Sequence, residues 1–271
     1  MTSGVNRQRL DHPRAEELSS LDEAGLETKQ EFIQPANHHV RANGNHAEGN
    51  NHQMKSSGLA GNYVEVEPIG VASPSDAVDG FFDLALAELA GLRTRAEVAA
   101  IEQAAELILK CESQGGRVHV TGIGKSEHVA RYVASLLSST GTPAYFLHAT
   151  ECVHGSAGQV RTVDVIIAVS NSGTTSELMR AVDMLREMGI GVIGVTGNRK
   201  SSLAQSANVL LYAGVENEGG TLNLVPRASI LAKVYVLCAL SVALEFHKGL
   251  TREQYAQWHP GGALGKLARS E

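Results

Sequence analysis

From Asp76 onward, large apolar residues recur at helical spacing: Phe81, Leu84, Leu86 and Leu89 in one segment, then Val98, Ile101, Ala105, Ile108 and Leu109 in the next. Such spacing gathers side chains onto one face of a 3.6-residue turn and predicts two helices before any strand. Gly115-Gly116 interrupts the pattern, and "RVHVTGIG" reads as a strand ending at Gly122. Beyond it, extended and helical patterns alternate. Helices are predicted over 127–137, 176–188, 202–206 and 228–247, and strands over 144–147, 165–169, 191–196 and 209–211. Several of these strands are unbroken aliphatic runs, as expected where both faces of a parallel sheet are covered. The pattern is that of a doubly wound α/β domain with helices on both faces, whose ligand is expected at the carboxyl ends of the strands.

Before that domain the chain changes character. Residues 1–75 are rich in Asn, Gly, Gln, Glu and His and carry few large apolar groups, so they are expected to form a disordered tail ahead of a single domain over 76–271. Five of the eleven histidines lie in this tail, without ligand spacing, and read as solvated linker. A net charge of −6 supplies no basic field, so neither nucleic acid nor a membrane surface is an expected partner. Cys111, Cys152 and Cys238 are odd in number and lack paired spacing, which argues against a disulfide framework or a zinc site and for a reducing cytoplasm. The start of the chain lacks the charged and apolar pattern of a secretory signal. The apolar run over 230–246 carries Lys233 and Glu245 and is short for a bilayer span of roughly 20 residues, so it reads as a core helix.

Two strand ends carry small residues in number. "TGIGKS", at 121–126, resembles a phosphate loop, but the nucleotide motif needs glycine where His119 stands, and the dinucleotide fingerprint needs glycine at Glu127. The second, Ser170-Asn171-Ser172-Gly173-Thr174-Thr175-Ser176, joins the end of one predicted strand to the start of a helix. Unpaired amides and partial positive charge at a helix start favour an anion, and short hydroxyl side chains let it approach. One hydroxyl would suffice as a cap; this cluster points to phosphate.

Taken together, "GIGKSEHVA", "STGTPAYFLHATECVHG", "AVSNSGTTSEL", "GVTGNRKSSLAQSANVLL" and "HPGGALGK" resemble the sugar isomerase (SIS) domain, in its arabinose-5-phosphate isomerase branch, from about Asp76 to Arg269. The resemblance implies a flavodoxin-like fold and a phosphosugar substrate. It implies a metal-independent aldose–ketose isomerase with no cofactor, assembled as a homodimer or homotetramer with sites at subunit boundaries. It assigns phosphate binding to Ser170, Asn171, Ser172, Thr174 and Thr175, and catalysis to Lys125, Glu177, Glu218 and His259, with His154 as a further candidate.

Those residue types suit the chemistry. Moving a carbonyl along a sugar needs ring opening, removal of a proton beside the carbonyl, and its return to the neighbouring carbon through an enediol. Glu218 is the expected base, Glu177 shares or orients that role, His259 assists ring opening, and Lys125 stabilises negative charge. The segment around His259 otherwise reads as irregular. After Pro226 the family has a run of Ser and Thr, whereas this chain has Arg227-Ala228-Ser229-Ile230; Ser156 stands where the family has aspartate. Paired CBS modules are not expected after the domain, nor is nucleotide control through them. Two alternatives remain: a phosphosugar-binding regulatory module without catalysis, and an isomerase of another ketose phosphate such as a hexulose or heptose phosphate.

Overall fold

The computed structural model describes residues 73–269; the expected tail therefore lies outside the described residues, apart from its last three positions. Those positions begin the first helix. Ser73 caps α1 (Pro74–Arg95) by accepting a hydrogen bond from Asp76 N at 3.2 Å, and Pro74 occupies the first turn, where no amide is needed. Next comes α2 (Val98–Ser113), so two helices do precede the first strand.

Five strands follow: β1 (Val118–Gly122), β2 (Ala144–Phe146), β3 (Val165–Val169), β4 (Gly191–Thr196) and β5 (Val209–Tyr212). All pair in parallel, in the order β2-β1-β3-β4-β5. This is the flavodoxin-like order, in which the chain reverses its direction of growth between β1 and β3. The strands are joined by α3 (Lys125–Ser139), α4 (Ala149–Cys152), a single 3₁₀ turn (Ser156–Gln159), α5 (Ser176–Glu187) and α6 (Ser202–Ser206). After β5 come α7 (Ala228–Lys248), α8 (Arg252–Trp258) and α9 (Ala263–Arg269).

Alternation along the strands builds two cores. Val118 and Val120 of β1, Val165, Ile167 and Val169 of β3, and Ile193 and Val195 of β4 face helices α2, α3 and α7. Ile166, Ala168 and Val192 face the other way, onto Leu178, Val182 and Leu185 of α5. Both faces of the sheet are dry, which is why the strands read as aliphatic runs. The 230–246 segment is a core helix: α7 buries Ala232, Val236, Leu237, Leu240 and Leu244, and half of its apolar window is enclosed by the fold.

The amino-terminal edge of the sheet is held by one carboxylate. Asp164 accepts hydrogen bonds from Arg117 N (2.9 Å), Arg161 N (2.8 Å) and His119 Nε2 (3.1 Å), so the strand histidine is the partner of a loop aspartate. Burial works to raise the Asp164 carboxyl, but these three donors outweigh it and leave it below the ordinary carboxylate range. Its stabilising effect is therefore present above the ordinary pKa and is lost as pH falls through the depressed value. Asp164→Ala strands two amides and a buried imidazole at once. Denaturant unfolding is expected to show a loss of about 3 kcal/mol, since each unsatisfied buried group costs about 1–3 kcal/mol.

Candidate functional site

Two loops leave the carboxyl edge on either side of the switch point. The 170–175 loop continues the ladder for one residue, as Ser170 N donates to Val195 O at 3.0 Å. The Ser170 hydroxyl then turns inward: it accepts from Gly173 N at 3.0 Å and lies 3.1 Å from Thr175 Oγ1. Asn171 O accepts from both Gly197 N and Thr196 Oγ1 at 3.0 Å, and Gly173 O accepts from Leu203 N at 3.0 Å. Gly173 has φ +65°, and a Cβ there would collide with Ser201 and approach Thr196 Oγ1 to 2.8 Å, so only glycine fits.

Ser170 thus builds the loop, while Ser172 and Thr174 stand exposed beside the start of α5. Thr175 makes no side-chain cap bond to that helix, which leaves the first-turn amides other than that of Glu177 available to an anion. Glu177, in this turn, is exposed; its own backbone amide and the Ser176 hydroxyl, at 2.9 Å, hold its carboxyl below the usual range.

Across the switch point, a Cβ at Gly122 would meet Ser126 O at 2.7 Å, so α3 starts hard against the end of β1. Gly124 (φ +60°) makes the turn, and Lys125, the first residue of α3, is exposed with no bonding partner among the described residues. Thr121 Oγ1, just behind, is buried without a hydrogen bond.

The third wall is the segment between β5 and α7. Glu88 of α1 anchors it by accepting from Glu216 N (3.0 Å) and Asn217 N (2.7 Å). Asn223 Oδ1 accepts from Glu218 N (2.8 Å) and Gly219 N (3.0 Å). The Glu218 carboxylate then caps α7: Oε2 accepts from Arg227 N (2.7 Å) and Ser229 N (3.0 Å), and Oε1 has no partner among the described residues. Arg227, where the family has a hydroxyl, is exposed and donates from Nη1 to Gly219 O at 3.1 Å.

One residue joins this wall to the phosphate-type loop, and sequence reasoning did not count it as part of a site. Lys233, in the second turn of α7, donates to Ser229 O at 2.7 Å and to Asn171 Oδ1 at 3.0 Å. It is fully buried. Burial pushes its ammonium down to about 8, against the opposing pull of Glu218. The available signal was a lysine near the start of an apolar helical run, which in sequence, with Glu245, served only to argue against a membrane span.

The histidines lie apart from this group. His154 is exposed in the turn after α4, which leaves the same carboxyl edge because Leu147 N extends the ladder to Val120 O. His259 ends α8, stacks on Tyr255 with centroids 3.9 Å apart, and shares a hydrogen with Tyr255 O at 2.8 Å. The segment expected to be irregular holds two short helices. Thr251 and Gln254 form a reciprocal cap on α8, and Gly265 of α9 lies so close to His259 O that a Cβ would collide with it. The neighbouring Trp258 packs on Gly141, at the amino-terminal edge where Pro143 O accepts from Val118 N. One copy of the chain therefore assembles the 170–175 loop, Lys125, Glu177 and Glu218 at one edge and carries His259 elsewhere. Among the described residues no group of three His, Cys, Asp or Glu is arranged to hold a metal ion.

A flavodoxin-like sheet with a hydroxyl-rich turn at a helix start beside its switch point defines an α/β protein whose strand ends suit an anion. Residues 113–243 match the SIS domain family. The chain is 42% identical over 165 residues to the arabinose 5-phosphate isomerase KdsD of Francisella tularensis strain SCHU S4, covering 61% of this chain and 50% of that protein. It is 43% identical over 164 residues to the KdsD of Pseudomonas aeruginosa PAO1, covering 60% of this chain and 49% of the relative. Among solved structures, E. coli CFT073 c3406 in complex with arabinose 5-phosphate superposes with a TM-score of 0.63 at 33% identity, covering 68% of this chain and 95% of that one. The chain belongs to the SIS domain family. It spans about half the length of the curated relatives it matches.

The loop geometry yields a direct test. Gly173→Ala forces a side chain into Ser201 at a left-handed φ, a strain of about 1–3 kcal/mol. Phosphate titration followed by NMR is expected to show at least about tenfold weaker binding, equivalent to about 1.4 kcal/mol, while far-ultraviolet dichroism retains the wild-type helix signal.

Proposed function

We propose that this chain interconverts an aldose phosphate and a ketose phosphate, D-arabinose 5-phosphate and D-ribulose 5-phosphate, through an enediol. The observation that carries this reading is the tie between a carboxylate and an anion loop. Glu218 caps the first turn of α7, and Lys233 links that same turn to Asn171. A sugar held by its phosphate at 170–175 would lie beside both carboxylates. The relatives named arabinose 5-phosphate isomerase and the sugar-phosphate complex of c3406 support the choice of substrate.

In the forward direction Glu218 Oε1 takes the proton from C2 of the open aldose, whose electrons form the C1–C2 double bond as the C1 carbonyl oxygen takes up a proton. The O2 proton then leaves, the C2 carbonyl forms, and C1 is protonated. Two backbone amides fix Oε2 and so aim the other oxygen. Lys125, exposed at the start of α3, offsets the charge that develops on oxygen. Glu177 orients or shares the proton transfer. Neither a metal nor a cofactor enters this scheme.

Ring opening falls to His259 of a second copy. Phe82 and Leu86 of α1 and Val242 and Phe246 of α7 are exposed apolar side chains, Phe246 at 83%, and a second copy would cover them. The three cysteines are free, which supports a reducing, cytoplasmic setting.

Incubation of the purified chain with D-ribulose 5-phosphate, followed by carbon NMR, is expected to reveal a new aldose phosphate. Glu218→Gln is expected to lower kcat by about 10²–10⁴-fold with little change in KM. Absence of turnover together with phosphosugar binding would replace the isomerase with a regulatory sensor. Mixing inactive Glu218→Gln and His259→Ala chains is expected to restore part of the activity as hybrid sites form. No recovery despite demonstrated subunit exchange would rule out a shared site.

A further inference from the structure

An ammonium is among the costliest groups to bury, and a helix position built for stability alone would hold Leu or Met. Lys233 is nevertheless fully buried in α7. Lysine carries three donors and no acceptor, so whatever it touches must accept. It touches Ser229 O at 2.7 Å and Asn171 Oδ1 at 3.0 Å, which settles the orientation of the Asn171 amide: oxygen inward, Nδ2 turned away. The Asn171 backbone is already pinned by Gly197 N and Thr196 Oγ1. With both ends fixed, Nδ2 is left without a partner among the described residues, on an exposed residue at the mouth of the loop. Ser229 Oγ, beside the lysine's own acceptor, is also buried without a hydrogen bond.

We propose that Lys233 is a positioning residue for the phosphate: it locks the Asn171 amide with its two N–H donors toward the ligand and sets a positive charge directly behind the loop. This rests on 170–175 being the phosphate loop and extends that reading to a residue of α7. Sequence reasoning gave the loop its hydroxyls and helix amides; the charge comes from below, through a helix that begins with the Glu218 cap.

The charged surroundings are simple. Among the described residues the charge acting on Lys233 is that of Glu218, in the segment before α7. Glu88 of α1 is occupied by the Glu216 and Asn217 amides, Glu102 of α2 by His247 at the far end of α7, and Glu127 of α3 by Arg131. Lys125 and Arg227 are exposed. Because the ammonium is lowered from its ordinary value to about 8, it is charged below that pH and neutral above it. Phosphate affinity should therefore be full on the acid side and fall as pH rises through that value. An anion bound in front of the ammonium raises its pKa again, so binding in this window takes up a proton.

The test uses the full chain with inorganic phosphate as probe. Titrations by calorimetry run between about pH 7.5 and about pH 9.5, above the second ionisation of phosphate. Wild type is expected to lose affinity by at least about tenfold across the window and to take up protons, read as a dependence of the heat on buffer ionisation. Lys233→Met is expected to bind at least about tenfold more weakly at the lower pH, with no slope and no proton uptake, and with Tm at or above wild type. Lys233→Arg, which keeps the charge, should restore part of the affinity and move the break to higher pH. In an Asn171→Ala background, Lys233→Met should cost less than it does in the wild type, because the part of its effect that runs through that amide is already gone and only the part due to charge remains.

Wild-type affinity that does not change across the window, or Lys233→Met binding with wild-type affinity, overturns the proposal without any appeal to whether a variant folds. Turnover of D-ribulose 5-phosphate is read separately. A chain that shows the phosphate behaviour but no turnover keeps Lys233 in this role and removes the isomerase. A chain that binds no phosphate at all removes both.

Discussion

Everything at the site depends on the parallel pairing of β1 with β3. Their register runs from Val118 opposite Val165 to Gly122 opposite Val169, so both strands stop at the same level. Their following loops then emerge side by side, each opening a helix, with no strand between them. Both halves of that pairing are enforced by burial. A slip of one residue would turn Val118, Val120, Val165 and Ile167 away from α2, α3 and α7 and bring Asp164 out of reach of the Arg117 amide. The aspartate clamp at one edge and the loops at the other are thus two ends of one constraint.

On that frame the site is completed by helix α7, which serves the core and the site at once. Its middle turns supply Val236, Leu237 and Leu240 to the packing between α2 and α3, and its first turns supply the amides that hold Glu218 and the ammonium that reaches Asn171. A helix fixed so firmly by its apolar face can carry a buried charge at its start, because the surrounding packing does not let the chain relax away from it. The same rigidity orients a carboxylate by two backbone amides, a more exact hold than a flexible side-chain contact.

His259 illustrates the opposite case. It sits in a short helical hairpin, α8 and α9, whose contacts with the rest of the chain are sparse, with Trp258 against Gly141 as its foothold. Its ring is ordered by stacking on Tyr255 and by Tyr255 O, apart from its own chain's strand ends. Exposed Phe82, Leu86, Val242 and Phe246 lie on the two long helices.

The sequence by itself determined what depends on local pattern. The aliphatic runs of β3 and β4 and the short α6 stand at their predicted bounds, because apolar periodicity, glycine and hydroxyl caps act over a few residues. The hydroxyl-rich turn after β3 and the glutamate beginning α5 were legible for the same reason. Other features were decided by the tertiary structure. That Ser170 is spent inside its own loop follows from contacts with Gly173 and Thr175. That Glu218 accepts from a helix amide eleven residues downstream depends on Asn223 and Glu88 bending the intervening segment. Lys233 is the sharpest instance. In one dimension it is a lysine near the start of an apolar run, 62 residues from Asn171. Only the folding of α7 across the strand ends brings the two within a hydrogen bond, and no local propensity encodes a contact at that separation.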